Sequence, residues 1–280
     1  MKKNSRAASA AALVILSAFV LFGSCAKGSK DGKLDSIKKS GKLVLGTSAD
    51  YPPYEFHAQI NGKDAIVGFD VAIAEEIAKD LGVALEIKDM DFDGLLAALA
   101  SGNVDLVIAG MTPSEERRQN VDFSDIYYFA EHGVMIRKED ASKYGSDATA
   151  LKDRMIGAQR GAIQVSLAKT RIKGVSEENV EATHAQVKEL GKLPDLVMEL
   201  KNSKIDAVVA ELPVAKAYLG ANADLTLASY TFKDDDGGSA VAVKKGEASL
   251  LAKVNETVGR LKASGAVDGF VADASELVEY

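Results

Sequence analysis

The stretch Ala109-Gly110-Met111-Thr112-Pro113-Ser114-Glu115-Glu116-Arg117 runs from an apolar strand end through a turn to a guanidinium one helical turn further on. Such a segment can grip a carboxylate. Gly110 lets backbone come close to a ligand, Thr112 offers a hydroxyl and an N–H, and Ser114 can cap the helix that starts after it. Arg117 presents a planar two-pronged donor that matches two carboxylate oxygens. A capped surface helix with a solvated arginine would use the same residues, so this segment alone leaves both readings open.

The elements that position this grip begin well inside the chain. Residues 1–6 carry Lys2, Lys3 and Arg6, an apolar run follows over 7–22, and Gly23-Ser24 precede the single cysteine, Cys25. This reads as a secretory signal over 1–24, too short and too interrupted for a membrane-spanning helix. Cys25 is placed as in bacterial lipoprotein processing, although Phe22 at the third place before it departs from the strict pattern. It is expected to carry lipid, with 25–33 as a flexible tether. One cysteine allows no internal disulfide.

Charge excludes several function classes. Removing 1–24 takes away three positive charges and no negative ones, which moves the formal net charge from -7 to -10. An acidic exported chain is a poor partner for nucleic acid or for an anionic bilayer surface. His57, His132 and His184 are scattered without ligand spacing, so no metal and no other cofactor is expected.

The remainder alternates strand and helix. Leu43-Val44-Leu45-Gly46 reads as a strand. A helix starts at Asp70, repeats apolar residues at Val71, Ile73, Ala74, Ile77, Ala78 and Leu81, and stops at Gly82. A strand over 83–87, a helix over 94–101 with Asp93 as its cap, and a buried strand over 104–109 lead into the carboxylate grip. A second round has strands over 155–159 and 205–211, the turn Arg160-Gly161-Ala162-Ile163-Gln164 and a helix over 165–170. Residues 248–261 form an amphipathic helix. Repeated strand-helix-strand order predicts an α/β fold of parallel sheets, in one large domain or two lobes, with the ligand beyond the strand carboxyl ends. The chain would cross between lobes near 129–134 and in the pliable Asp234-Asp235-Asp236-Gly237-Gly238.

Taken together, Gly46-Thr47-Ser48-Ala49-Asp50-Tyr51-Pro52-Pro53-Tyr54-Glu55-Phe56, Val67-Gly68-Phe69-Asp70, Asp91-Phe92-Asp93-Gly94-Leu95, the 109–117 grip and Val121-Asp122-Phe123-Ser124 resemble the polar amino-acid solute-binding proteins of bacterial ABC importers. The resemblance runs from about residue 42 to the end. It implies a type II periplasmic-binding-protein-like fold: lobe 1 over 34–131 plus 237–280, lobe 2 over 132–236, each a mostly parallel sheet flanked by helices, joined by a two-strand hinge. It also implies a monomer that closes on one amino acid and delivers it to a membrane permease from the periplasm or cell surface.

Carried over by position, the resemblance puts Arg117, Thr112 and the Gly110 backbone on the ligand carboxylate, joined by Ala162 and Gln164 from lobe 2. Glu211 would receive the ammonium. Tyr51 and Phe92 would flank the side-chain stem, where a cation gains from their rings. A zwitterion is costly to desolvate, so each pole needs an opposed partner, and partners from both lobes make the ligand itself favour closure. Two departures bear on specificity: Ser48 stands where basic-amino-acid and glutamine binders often carry an acid, and Ala162 lacks the usual hydroxyl. Asp50, Glu55 and Asp91 surround the expected side-chain pocket, with Gln159 facing it. Such an excess of acceptors favours a cationic or amide side chain, and arginine or another polar amino acid is expected. The same fold also hosts cyclohexadienyl or arogenate dehydratases, in which Glu211 would protonate a leaving hydroxyl, and a ligand-sensing lipoprotein is the third reading.

Overall fold

The computed structural model describes residues 32–180, 186–233 and 237–278. The leader, Cys25 and part of the second predicted crossing lie outside these residues. The chain runs α1 (Lys33–Ser40), β1 (Lys42–Thr47), β2 (Asp50–Tyr51), β3 (Glu55–Ile60), β4 (Lys63–Val67), α2 (Phe69–Leu81), β5 (Ala84–Asp89), α3 (Leu95–Ser101), β6 (Leu106–Val107), α4 (Glu115–Asn120) and β7 (Val121–Phe123). It continues through β8 (His132–Arg137), α5 (Ala141–Tyr144), β9 (Ile156–Gln159), α6 (Ile163–Leu167), β10 (Val187–Leu190), α7 (Leu193–Lys201), β11 (Ala207–Glu211), α8 (Leu212–Ala221) and β12 (Leu225–Leu227). It returns as β13 (Ala242–Lys244), α9 (Ala248–Ser264) and α10 (Ala266–Glu276).

Two five-stranded sheets result, ordered β5-β1-β6-β13-β7 and β10-β9-β11-β8-β12, each the centre of one lobe. β5, β1 and β6 run parallel and β13 runs against its neighbours β6 and β7. The second sheet repeats this pattern, with β10, β9 and β11 parallel and β8 antiparallel to β11 and β12. Both faces of the first sheet are covered, which is why its strands are continuously apolar. Leu43, Leu45 and Leu106 pack with Phe69, Ile73 and Ile77 of α2 and Val254, Val258 and Leu261 of α9. Val107 packs on the other side with Leu95, Leu99 and Val121.

The two crossings lie side by side. Tyr127 N–H donates to Ser239 O at 2.9 Å and Ser239 N–H to Tyr128 O at 2.8 Å; His132 and Phe232 exchange a second pair at 2.8 and 2.9 Å. Gly238 is required there, because at φ +79° a β-carbon would meet Tyr128 O at 2.4 Å. α2 forms and ends at Gly82 as its apolar period dictates. Asp93 does not cap α3: it sits in a 3-10 turn over Phe92–Gly94, and its carboxylate lies 3.6 Å from Arg160 of lobe 2 instead. A further three-stranded sheet, β2-β3-β4, turns at Asn61 and Gly62, both at positive φ.

Candidate functional site

The carboxyl ends of β1, β6 and β9 face one another across the gap between the lobes. They form a cleft walled by Ser48, Asp50, Tyr51, Glu55, Phe92, Ala109, Gly110, Thr112, Arg117, Gln159, Ala162, Ile163 and Gln164. Eleven of the thirteen residues expected around the ligand thus stand in one wall; Asp91 and Glu211 do not.

The carboxylate grip forms as its residue types require. Ser114 Oγ accepts from Arg117 N–H at 3.4 Å and so caps α4. This fixes the start of the helix that aims Arg117 back over its own turn, where one guanidinium nitrogen donates to Thr112 O at 2.7 Å. The other terminal nitrogen crosses to lobe 2 and donates to Gly161 O at 2.9 Å. The guanidinium lies 5.3 Å from the Phe92 ring centroid, so Phe92 serves as a platform for arginine while its edge packs among Leu95 and Leu99. Ala162 opens α6 in extended conformation with no side-chain cap, leaving only backbone at that end of the wall.

Gly110 sits at φ +54°, and a β-carbon there would come within 3.3 Å of the Tyr54 ring and 3.4 Å of the Tyr51 ring. Its N–H is already used, donating to Asp70 Oδ2 at 2.8 Å, which also accepts from Tyr127 O–H at 2.9 Å. The Tyr51 hydroxyl oxygen accepts from Gln164 Nε2–H and Glu211 N–H, each at 3.2 Å, so this ring is tied to lobe 2 through its hydroxyl. The Gln164 amide also faces His132 Nδ1 at 3.3 Å. Glu211 closes β11 and its carboxylate accepts from the Tyr54 hydroxyl of lobe 1. It therefore reaches the cleft by way of two tyrosines.

The acids separate into three settings. Asp91 is at the rim, with a half-exposed side chain 3.7 Å from Lys192. Asp50 is buried but surrounded by donors: Ser48 Oγ–H at 3.2 Å, Gln159 Nε2–H at 3.2 and 3.3 Å, and Leu193 N–H at 2.8 Å. Burial pushes its carboxyl up from the usual range against those donors. Glu55 is 0 % exposed, and neither of its carboxyl oxygens meets a donor among the described residues; the same holds for Asp70 Oδ1. The two carboxyls are hydrogen-bond partners only if one of them is protonated. Burial first, then the negative charge of Asp70, pushes Glu55 well above the carboxylate range. Burial also takes Asp70 to about 7, despite the Gly110 and Tyr127 donors.

Sequence reasoning named Glu55 only as a nearby acid and Asp70 only as a helix start. A signal for both was present: an acid followed by the Asn61-Gly62 hairpin and then by another acid at a helix entry folds the two back together. Cation recognition is what such a cavity can do chemically, with a guanidinium in the same wall for an anionic pole.

Two lobes, a double crossing and a charged cleft at the strand carboxyl ends define a type II periplasmic binding protein. The chain belongs to the bacterial extracellular solute-binding proteins, family 3, whose family model matches residues 43–272. It is 37% identical over 91% of its length to the arginine-binding extracellular protein ArtP of Bacillus subtilis, covering 94% of that protein. It is 32% identical to a probable histidine-binding protein of Campylobacter jejuni, over 82% of this chain and 83% of that one. Among solved structures it resembles an amino acid ABC transporter substrate-binding protein from Streptococcus pneumoniae bound to L-arginine, with TM-score 0.81 and 35% identity over 89% of this chain and 99% of that one.

Proposed function

We propose that the chain captures a cationic amino acid, arginine first among them, and passes it to the permease of an ABC importer. Amino-acid capture for ABC transport is the work of its relatives, and two of them bind arginine by name or by bound ligand. The observation that carries the ligand class is Glu55, a buried carboxyl in the cavity wall that Asp70 can partner only through a shared proton and that meets no other donor among the described residues. A buried acid without donors is costly, and a guanidinium or ammonium placed on it supplies both charge and hydrogen bonds.

In this reading Arg117 takes the α-carboxylate, with Thr112, the Ala162 backbone and Gln164 beside it. Glu211 receives the α-ammonium together with Tyr51, and Tyr51 and Phe92 flank the stem. Gly110 keeps the wall open, Ser48 and Gln159 line the far end, and Glu55 meets the side-chain cation. The lobes divide the chain at 34–131 plus 237–280 and at 132–236. The protein acts as a monomer that holds its solute without chemical change, exported and anchored by lipid on Cys25.

Thermal shift of the mature protein against the common amino acids tests this, because a ligand specific to the folded form raises the melting point with the logarithm of its concentration over Kd. Arginine is expected to give the largest shift. A larger shift with glutamate or a neutral amino acid would overturn the ligand class. Membrane fractionation tests the anchor: Cys25→Ala is expected in the soluble fraction, and unchanged membrane retention would refute it.

A further inference from the structure

Asp50 belongs to lobe 1, yet most of what it touches belongs to lobe 2. Three separate elements there reach it: Gln159 of β9 through its amide at 3.2 and 3.3 Å, the Leu193 N–H that opens α7 at 2.8 Å, and the Tyr218 hydroxyl of α8, which donates to the Asp50 carbonyl at 2.7 Å. α7 begins after Lys192 with no side-chain cap from its own segment. Its first N–H is met by a carboxylate from across the gap, the group best suited to the positive end of a helix.

Among these partners Ser48 is the lone contact from the same lobe, at 3.2 Å on Oδ1. Three protein donors thus make four contacts to the two carboxylate oxygens, which offsets the cost of a group that is 8 % exposed. Every cross-lobe member of the set is lost when the lobes separate, and the carboxylate and the helix end then return to water. At the rim beside it Lys192 lies 3.5 Å from Asp89 and 3.7 Å from Asp91, pairs too exposed to hold the lobes by themselves.

We propose that Asp50 is a closing strap, a positioning residue that caps helix α7 in trans and sets how long the lobes stay shut on a ligand, without touching the ligand itself. The proposal rests on the reading that an amino acid is held between the lobes, and it leaves the side-chain cation to Glu55. Uniformity across ligands follows: a group that binds the other lobe changes the residence time of every solute by the same factor, whereas a group on the side-chain cation discriminates between charged and neutral solutes.

Stopped-flow tyrosine fluorescence on wild type and Asp50→Asn, with arginine and its neutral isostere citrulline, decides the matter. In Asp50→Asn one acceptor becomes an amide donor facing Gln159 and Leu193. Dissociation is expected to accelerate about tenfold for both solutes alike, with association within about twofold. Small-angle scattering should show a larger ligand-free radius of gyration for the variant. Tyr218→Phe, which removes one strap bond and leaves the carboxylate, should accelerate release about threefold and serves if Asp50→Asn does not fold. Loss confined to arginine would overturn the strap in favour of a direct ligand contact. Wild-type release rates in both variants, with arginine still bound, would overturn the strap alone; a wild type that binds no amino acid would overturn both readings.

Discussion

The two ends of the cleft are built on opposite principles. At one end Arg117 lies on the Phe92 ring with carbonyls of both lobes on its guanidinium, at 2.7 and 2.9 Å. At the other, Glu55 and Asp70 are buried against each other with three carboxyl oxygens that, apart from a proton shared within the pair, no donor among the described residues reaches. A satisfied cation can exchange a protein carbonyl for a ligand carboxylate with little change in its surroundings, and so serves any amino acid. An unsatisfied acid pair changes state when a cation arrives, and so selects among side chains. General grip and selectivity are thereby divided between ends.

The comparison breaks most severely at the grip. Arg117→Ala should raise Kd for every amino acid by about a thousandfold, roughly 4 kcal/mol, because a charge-assisted bidentate partner is lost from a desolvated site. Calorimetry with arginine and with citrulline checks this, and equal losses are expected. The acid end should fail selectively. Glu55→Gln is expected to cost arginine about a hundredfold, roughly 2.7 kcal/mol, and citrulline less than threefold.

pH sharpens the same contrast. Burial raises both members of the pair, Asp70 to about 7 and Glu55 well above the ordinary carboxyl range, so near neutrality the pair holds a proton that a cation must displace. Asp50 and Glu211 are the other acids around it, and their negative charge raises Glu55 further, whereas the neutral Tyr127 hydroxyl lowers Asp70 by donating to it. Arginine affinity should therefore rise with pH by up to about tenfold per unit below about pH 7, while citrulline affinity stays flat. The ligand-free fold should behave in the reverse sense. Both carboxyls bind protons more tightly folded than unfolded, so their contribution to stability is full below the unfolded carboxyl range and is lost as pH rises through their raised folded values, about 7 for Asp70. Melting points across pH 4 to 8 in the presence and absence of arginine, about four units, read both trends. The smallest effect belongs to the stem: Tyr51→Phe removes a hydroxyl that accepts from Gln164 and Glu211 and should weaken all ligands about fivefold, roughly 1 kcal/mol.

The elements were legible where local chemistry decides them. The apolar period of α2, the Ser114 cap of α4 and the strand carrying Glu211 follow from spacing alone, and the 109–117 segment turns Arg117 toward the cavity because cap and turn leave it little choice. The failures share a different cause. Asp93 has the composition of a helix cap, but a 3-10 turn precedes α3 and diverts its carboxylate toward Arg160. Asp50 and Asp91 read alike as acids near a pocket, yet one is buried by donors 109 and 143 residues away and the other stands at the rim. Long-range partners of this kind leave no trace in local spacing. The Glu55–Asp70 pair was within reach, since the Asn61-Gly62 turn that folds them together has its own sequence signature.

The account stands on the claim that Glu55 and Asp70 await a side-chain cation. Isothermal titration of the wild type with arginine and with citrulline at one pH tests it most directly, since the two solutes share a shape and differ in charge. Arginine binding at least about a hundredfold tighter than citrulline is the predicted result. Equal affinities, or tighter binding of citrulline, would contradict it.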